Sequence, residues 1–170
     1  KGASTVESGY ESITGQINVE YKKPDKEEWF YFNALANDKA KMEFNTNGRI
    51  ELNDKWSTMI LLHGERAKMK HDFNKDGFLD QSMMDQINVI NRWKYWGEKL
   101  KTQFGVKYLE ENRYGGQLSF DPDLPRDIEN GYGISIESQR AEVFHKMGYM
   151  FDRNSTSLGF IQSGSYYDQK

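Results

Sequence analysis

Cysteine is absent from this 170-residue chain, proline occurs only three times, and charge of neither sign prevails. Without cysteine there are no disulfides and no thiolate metal sites. With 23 Lys and Arg against 26 Asp and Glu, a formal net charge of −3, the chain carries no basic footprint for nucleic acid. No apolar run approaches the ~20 residues of a membrane helix, and the first residues do not read as a signal peptide. Hydrophobicity is scarce as well. Hydrophobic residues make up 36% of the chain and the mean hydropathy is −0.88. That is low for a self-sufficient soluble core, since typical domains run about 45–50% apolar with Gly counted.

Aromatic residues, by contrast, reach 14%, with 10 Tyr, 10 Phe and 4 Trp. Disordered chains are poor in aromatics, so the composition points to β-structure that needs only one apolar face. The patterning agrees. Met42, Phe44, Thr46, Gly48, Ile50 and Leu52 alternate with Glu43, Asn45, Asn47, Arg49 and Glu51. Thr102, Phe104, Val106 and Tyr108 alternate with Lys101, Gln103, Gly105 and Lys107. Successive side chains of a strand point to opposite faces, so each segment has one apolar side and one side suited to water.

Residues 15–23 read as a short strand (Ile17, Val19 and Tyr21 on one face) that Pro24 interrupts. Seven further strands are expected at 29–37, 41–52, 56–70, 86–96, 100–114, 134–152 and 158–167, forming an all-β antiparallel meander. In the sixth the apolar phase slips near Arg140, which predicts a β-bulge. The connections alternate in size. Turns at Asn53-Asp54-Lys55, Gly97-Glu98-Lys99 and Arg153-Asn154-Ser155-Thr156 are short, and the segments at 72–80 and 115–133 are long. Asn37-Asp38-Lys39 is the exception. Transmembrane β-barrels have short turns at one end, longer loops at the other, and aromatic girdles at both interfaces. Trp56, Trp93, Tyr95, Tyr149 and Phe151 all lie near the short-turn ends, where one girdle is expected.

One segment has metal-binding character. Asp72-Phe73-Asn74-Lys75-Asp76-Gly77-Phe78-Leu79-Asp80 is D-x-N-x-D-G-x-x-D. Oxygen ligands at alternate positions followed by a glycine for a sharp turn suit Ca²⁺. The candidate ligands are the side chains of Asp72, Asn74, Asp76 and Asp80 and the carbonyl of Phe78. Position twelve of an EF-hand should be Glu and here is Met83, and no flanking helices are expected, so the loop is not an EF-hand. Asp85 offers a further carboxylate. The expected role is structural.

Nothing points to an enzyme. His63, His71 and His145 stand in no zinc-type spacing, and neither a G-x-S-x-G elbow nor a P-loop occurs. His71, beside the acidic loop, is a candidate ligand but is expected to be a solvated loop residue, and His63 is expected to face a polar interior or a neighbour. Glu110 and Glu111 are adjacent, so on a strand they point apart and make a poor acid/base pair.

Several segments resemble a known family. Gly9-Tyr10-Glu11-Ser12-Ile13-Thr14-Gly15-Gln16-Ile17-Asn18-Val19, followed by Lys22-Lys23, looks like the end of the plug domain of TonB-dependent outer-membrane receptors. The turn Leu52-Asn53-Asp54-Lys55-Trp56-Ser57 is similar to their periplasmic turns. The 72–80 loop followed by Ile90-Asn91-Arg92-Trp93-Lys94-Tyr95 also resembles such receptors. The resemblance covers essentially the whole chain. It implies that residues 1–23 are the C-terminal end of a plug and residues 24–170 the N-terminal strands of a 22-stranded transmembrane β-barrel. The chain is then expected to be a fragment. The function implied is energy-coupled import of a scarce nutrient (an iron chelate, a cobalamin or an oligosaccharide) across the outer membrane of a Gram-negative bacterium. The implied partners are that nutrient, the TonB energy-coupling complex and outer-membrane lipid. No substrate-binding residue follows from the resemblance. A fragment with open sheet edges is expected to self-associate. From the aromatic content and the acidic loop, a soluble Ca²⁺-stabilised β-sandwich that binds carbohydrate is the competing expectation.

Overall fold

Strands form where the alternation is strongest. In the computed structural model, which describes residues 22–25, 28–127, 130–151 and 156–170, they are β1 (Phe30–Ala36), β2 (Lys41–Glu51), β3 (Trp56–Ala67), β4 (Met83–Trp96), β5 (Leu100–Gly116), β6 (Gly133–Met150) and β7 (Ser157–Gln169). They make one open antiparallel sheet in sequence order, β1 to β7, and no helix occurs among the described residues. The strand expected at residues 15–23 and the plug ending at 1–23 lie, apart from Lys22 and Lys23, outside the described residues.

The turns follow from their residues. Asn37 Oδ1 accepts from the backbone N–H groups of Lys39 and Lys41, both at 3.0 Å, and the turn closes with Ala40 at φ 53°. Asn53 Oδ1 accepts in the same way from Lys55 and Trp56, both at 3.0 Å. Such side-chain caps give the backbone a local alternative to the ladder and so reverse the chain.

Pairing partners share a face, so the register assigns every strand residue to one side. One face carries the rows Phe32–Thr46–Leu62–Val89–Tyr108–Ala141–Tyr166 and Phe30–Gly48–Ile60–Asn91–Val106–Val143–Gly164. At the short-turn end this face closes with Trp56–Tyr95–Thr102–Met147–Phe160. At the long-loop end it closes with Met42–Arg66–Asp85–Asn112–Glu137. The other face carries Asn45–His63–Asn88–Leu109–Arg140–Tyr167 and Asn47–Leu61–Ile90–Lys107–Glu142–Ser165.

The bulge predicted near Arg140 does not form. β5 and β6 pair one to one without a break, from Leu100↔Tyr149 to Gly116↔Gly133. The apolar phase changes because β6 leaves the apolar band. Ile136 lies on the polar face beyond it, in one row with Ala67 and Met84.

Burial runs opposite to that of an ordinary sheet. Asn47, Ser57, Met59, Ile90, Arg92, Lys94 and Ser138 are buried, and all belong to the polar face. Phe32, Ile50, Ile60, Val106 and Val143 are 51–61% exposed, and all belong to the apolar face.

Candidate functional site

The buried polar face is held by a short strap. Residues 22–25 cross it at the level of Arg49, Arg92 and Lys94. Arg92 Nη1 donates to the Lys22 carbonyl at 2.6 Å, Arg49 Nη1 donates to the Pro24 carbonyl at 3.5 Å, and Lys94 Nζ pairs with the Asp25 carboxylate. Lys22 Nζ sits 4.7 Å from the centre of the Tyr31 ring. Met59, between Arg49 and Arg92 in the same row, is fully buried, as is Pro24. Gly105 completes this row, and a Cβ there would collide with the Phe144 ring over which the Arg92 guanidinium lies at 5.5 Å. Sequence reasoning missed the strap. Its one signal was three cations at neighbouring positions of two polar strand faces.

Further along this face Glu43 and Glu65 are direct cross-strand partners. Such like-charge pairs are unfavourable unless neighbours compensate. Lys41 Nζ lies 2.7 Å from Glu65, and Asn45 donates to Glu43 at 2.9 Å while its Oδ1 lies 2.8 Å from His63 Nδ1. His63 therefore faces the polar side.

On the apolar face, polar atoms are satisfied within the sheet. Trp93 Nε1 donates to Asn91 Oδ1 at 2.6 Å, and Asn91 Nδ2 donates to Thr58 Oγ1 at 3.3 Å and to the Met59 carbonyl at 3.2 Å. Thr102 Oγ1 donates to the Lys146 carbonyl at 3.0 Å and lies 2.8 Å from His145 Nε2, while Gln162 Nε2 donates to His145 Nδ1 at 3.2 Å. This chain of donors selects the Nε2–H tautomer of His145. Around these groups Trp56, Trp93, Tyr95 and Phe104 form a continuous aromatic cluster with centroids 5.0–6.5 Å apart. Tyr149 and Phe151 form a second contact at 5.1 Å. The expected girdle residues thus stand together at the short-turn end.

At the other end the connections are knitted together. Phe78 bridges to Gln117, with Leu79 N donating to the Gly116 carbonyl at 2.8 Å and Leu118 N to the Gly77 carbonyl at 2.9 Å. Lys70 Nζ donates to the Leu118 carbonyl at 2.5 Å. Asn130, 4% exposed, donates to the carbonyls of Asp121, Leu124 and Pro125 and accepts from Asp121 N. His71 lies in the connection, as expected of a loop histidine, with its ring stacked on Phe73 and Nε2 2.9 Å from the Lys39 carbonyl.

The 72–80 loop folds around its own carboxylates. Asp72 accepts from Asp76 N at 3.1 Å and Gly77 N at 3.0 Å, Asp76 from Phe78 N at 2.8 Å, and Asp80 from Phe73 N at 2.6 Å. Asn74 Nδ2 donates to Asp76 at 2.9 Å. Gly77 stands at φ 83°, the left-handed region its place in the motif requires. Asp85 is not part of this loop; its carboxylate lies between Arg66 at 3.4 Å and Lys68 at 2.5 Å. Among the described residues no three His, Asp or Glu are gathered as metal ligands. Glu110 and Glu111 do point apart, one to the Tyr108 hydroxyl at 3.0 Å and the other to Arg113 at 3.3 Å.

No protein-family model, no curated protein and no solved structure matches the chain. Among the described residues the fold is all-β, one open antiparallel sheet with an exposed apolar face and most of its buried residues on the polar face.

Proposed function

We propose that this chain is part of an outer-membrane TonB-dependent receptor, with β1–β7 as consecutive strands of its transmembrane barrel. The observation that carries the reading is the inversion of burial: large apolar side chains are exposed on one face, while most of the buried strand residues lie on the polar face. In water such a face is an aggregation surface. In a bilayer it is the lipid contact, and the polar side borders the lumen. Arg66 stands ten residues beyond Trp56 on β3. That is about 33 Å along a strand and about 25 Å in height at a tilt of ~40°, the height of the apolar band in such barrels. The alternation of short turns and long loops gives the same polarity, with the Trp56 end inward. The intact protein would import a scarce nutrient, an iron chelate, a cobalamin or an oligosaccharide, coupled to the TonB complex in a Gram-negative outer membrane.

Within this reading the 72–80 loop is a structural Ca²⁺ loop that stiffens the outer surface. Asp72, Asp76 and Asp80 have no cation within ion-pair distance among the described residues, and the Phe78 carbonyl accepts no backbone hydrogen bond there. The β-sandwich alternative requires a second sheet over the apolar face, and the described residues form one sheet only.

The test is depth-dependent quenching. Variants retaining only Trp93, expressed from the complete reading frame and reconstituted in bilayers, are exposed to lipids brominated at different chain positions. Strongest quenching by bromine near the headgroups is expected. No quenching at any depth overturns the membrane reading.

A further inference from the structure

The polar face holds a hollow away from the strap. Along β5, β6 and β7 this face carries the rows Leu109–Arg140–Tyr167 and Glu111–Ser138–Gln169. A hollow of about 510 Å³ lies over them, lined by Leu109, Glu111, Ser138, Arg140, Ser165 and Tyr167. Leu109 is four residues along β5 from Gly105, whose row holds the strap arginines, so the hollow lies about 13 Å nearer the long loops. Its far row neighbours Asn112–Glu137, where the apolar face of the sheet ends in polar residues. The two charges in the lining are opposite, and each is already compensated. Arg140 pairs with Glu142, and Glu111 lies 3.3 Å from Arg113. Tyr167 is 55% exposed, and its hydroxyl donates to Gln169 at 2.7 Å. Among the described residues its ring contacts no other ring or cation, and the hydroxyls of Ser138 and Ser165 make no hydrogen bond.

We propose that this hollow binds a sugar ring of a neutral oligosaccharide. The inference rests on the receptor reading above and names which class of nutrient the lumen wall takes. The C–H face of a sugar ring is apolar and weakly positive, so it packs on the negative face of an aromatic ring. Tyr167 supplies that ring, and Leu109 supplies apolar surface in the same row. The hydroxyls around a sugar both donate and accept. Arg140 offers N–H donors, Glu111 offers acceptor oxygens, and Ser138 and Ser165 offer both. Bonds to the two ionised groups are the stronger ones. A neutral polyol uses both signs of charge and leaves both ion pairs in place. An anionic chelate finds no surplus cation in the lining and would lie against Glu111. The hollow also stands on the long-loop side of the strap, so a ligand entering from that end reaches it first.

The experiment presents protein from the complete reading frame, in lipid nanodiscs, to a printed array of neutral and uronic-acid oligosaccharides. Binding to neutral members is expected, with an affinity that does not fall as salt is raised, since no net charge is neutralised. Tyr167→Ala should weaken it about tenfold, the worth of an aromatic contact. Tyr167→Phe, which keeps the ring, should lose far less. Arg140→Gln should weaken binding independently of the ring. Binding to acidic members alone, binding to none, or neutral binding that neither Tyr167→Ala nor Arg140→Gln weakens overturns the proposal. The receptor reading fails separately. If Trp93 is not quenched by brominated lipid while neutral oligosaccharides still bind through Tyr167, the site stands and the membrane setting falls.

Discussion

Lys94, near the end of β4, pairs with Asp25, 69 positions earlier in the chain. The pair is the charged anchor of the strap over the polar face. With the Lys94 side chain only 11% exposed, removing the carboxylate leaves a poorly solvated ammonium. Asp25→Asn is expected to destabilise by roughly 3 kcal/mol, as for breaking a buried pair from one side. Replacing both partners with apolar residues, Asp25→Leu with Lys94→Met, should cost much less. Chemical denaturation of the two variants measures this, and equal losses would contradict the account.

The face assignment predicts opposite outcomes for arginine at nearby positions of β5. Val106 lies in the middle of the exposed apolar band and Gln103 on the polar face. Val106→Arg should lower folding stability in bilayers by roughly 2–4 kcal/mol. Gln103→Arg should change it by less than about 1 kcal/mol. Folding titrations in phospholipid vesicles report both values.

An open sheet whose β1 and β7 edges are unpaired and whose apolar face is uncovered among the described residues should not remain alone in water. The 170-residue chain, refolded without detergent, is expected to sediment as oligomers. A monodisperse monomer in the ultracentrifuge would count against the fold's proposed setting.

Ca²⁺ in the 72–80 loop predicts that a chelator lowers the thermal midpoint of the protein and that added Ca²⁺ restores it. Asp72→Asn with Asp76→Asn should remove this response. Asp85→Asn should leave it intact, because Asp85 faces Arg66 and Lys68 instead. A chelator without effect on the unmodified protein would eliminate the ion from the loop.

Asn130 holds three carbonyls of the 117–132 connection. Asn130→Ala strands these acceptors, at about 1–3 kcal/mol for the connection. Amide exchange should accelerate across that segment and stay unchanged in β3 to β5.

Much of the fold was legible. The expected strand 41–52 differs by one residue from Lys41–Glu51, and 86–96 falls short of Met83–Trp96 only at its first turn-side residues. Strict period-two alternation is a local signal, which is why these boundaries could be read. The slip at Arg140 misled because apolar phase indicates a bulge only while the strand stays in one environment, and β6 runs out of the band. The candidate site was less legible. The partners of His71, Phe73 and the Lys39 carbonyl, were not legible because they depend on how two connections approach each other. Asp85 was expected near the acidic loop because proximity in sequence said nothing of Arg66 across the ladder.

The one-dimensional pattern thus determined that the chain forms ribbons with one oily and one wet side, since each residue's side follows from its parity alone. Only the three-dimensional arrangement decided that most of the buried strand residues lie on the polar side, that residues 22–25 lie across it, and that on the apolar side the Phe44 ring lies over Gly64. Those outcomes depend on contacts between segments far apart in the chain, and no local period encodes them.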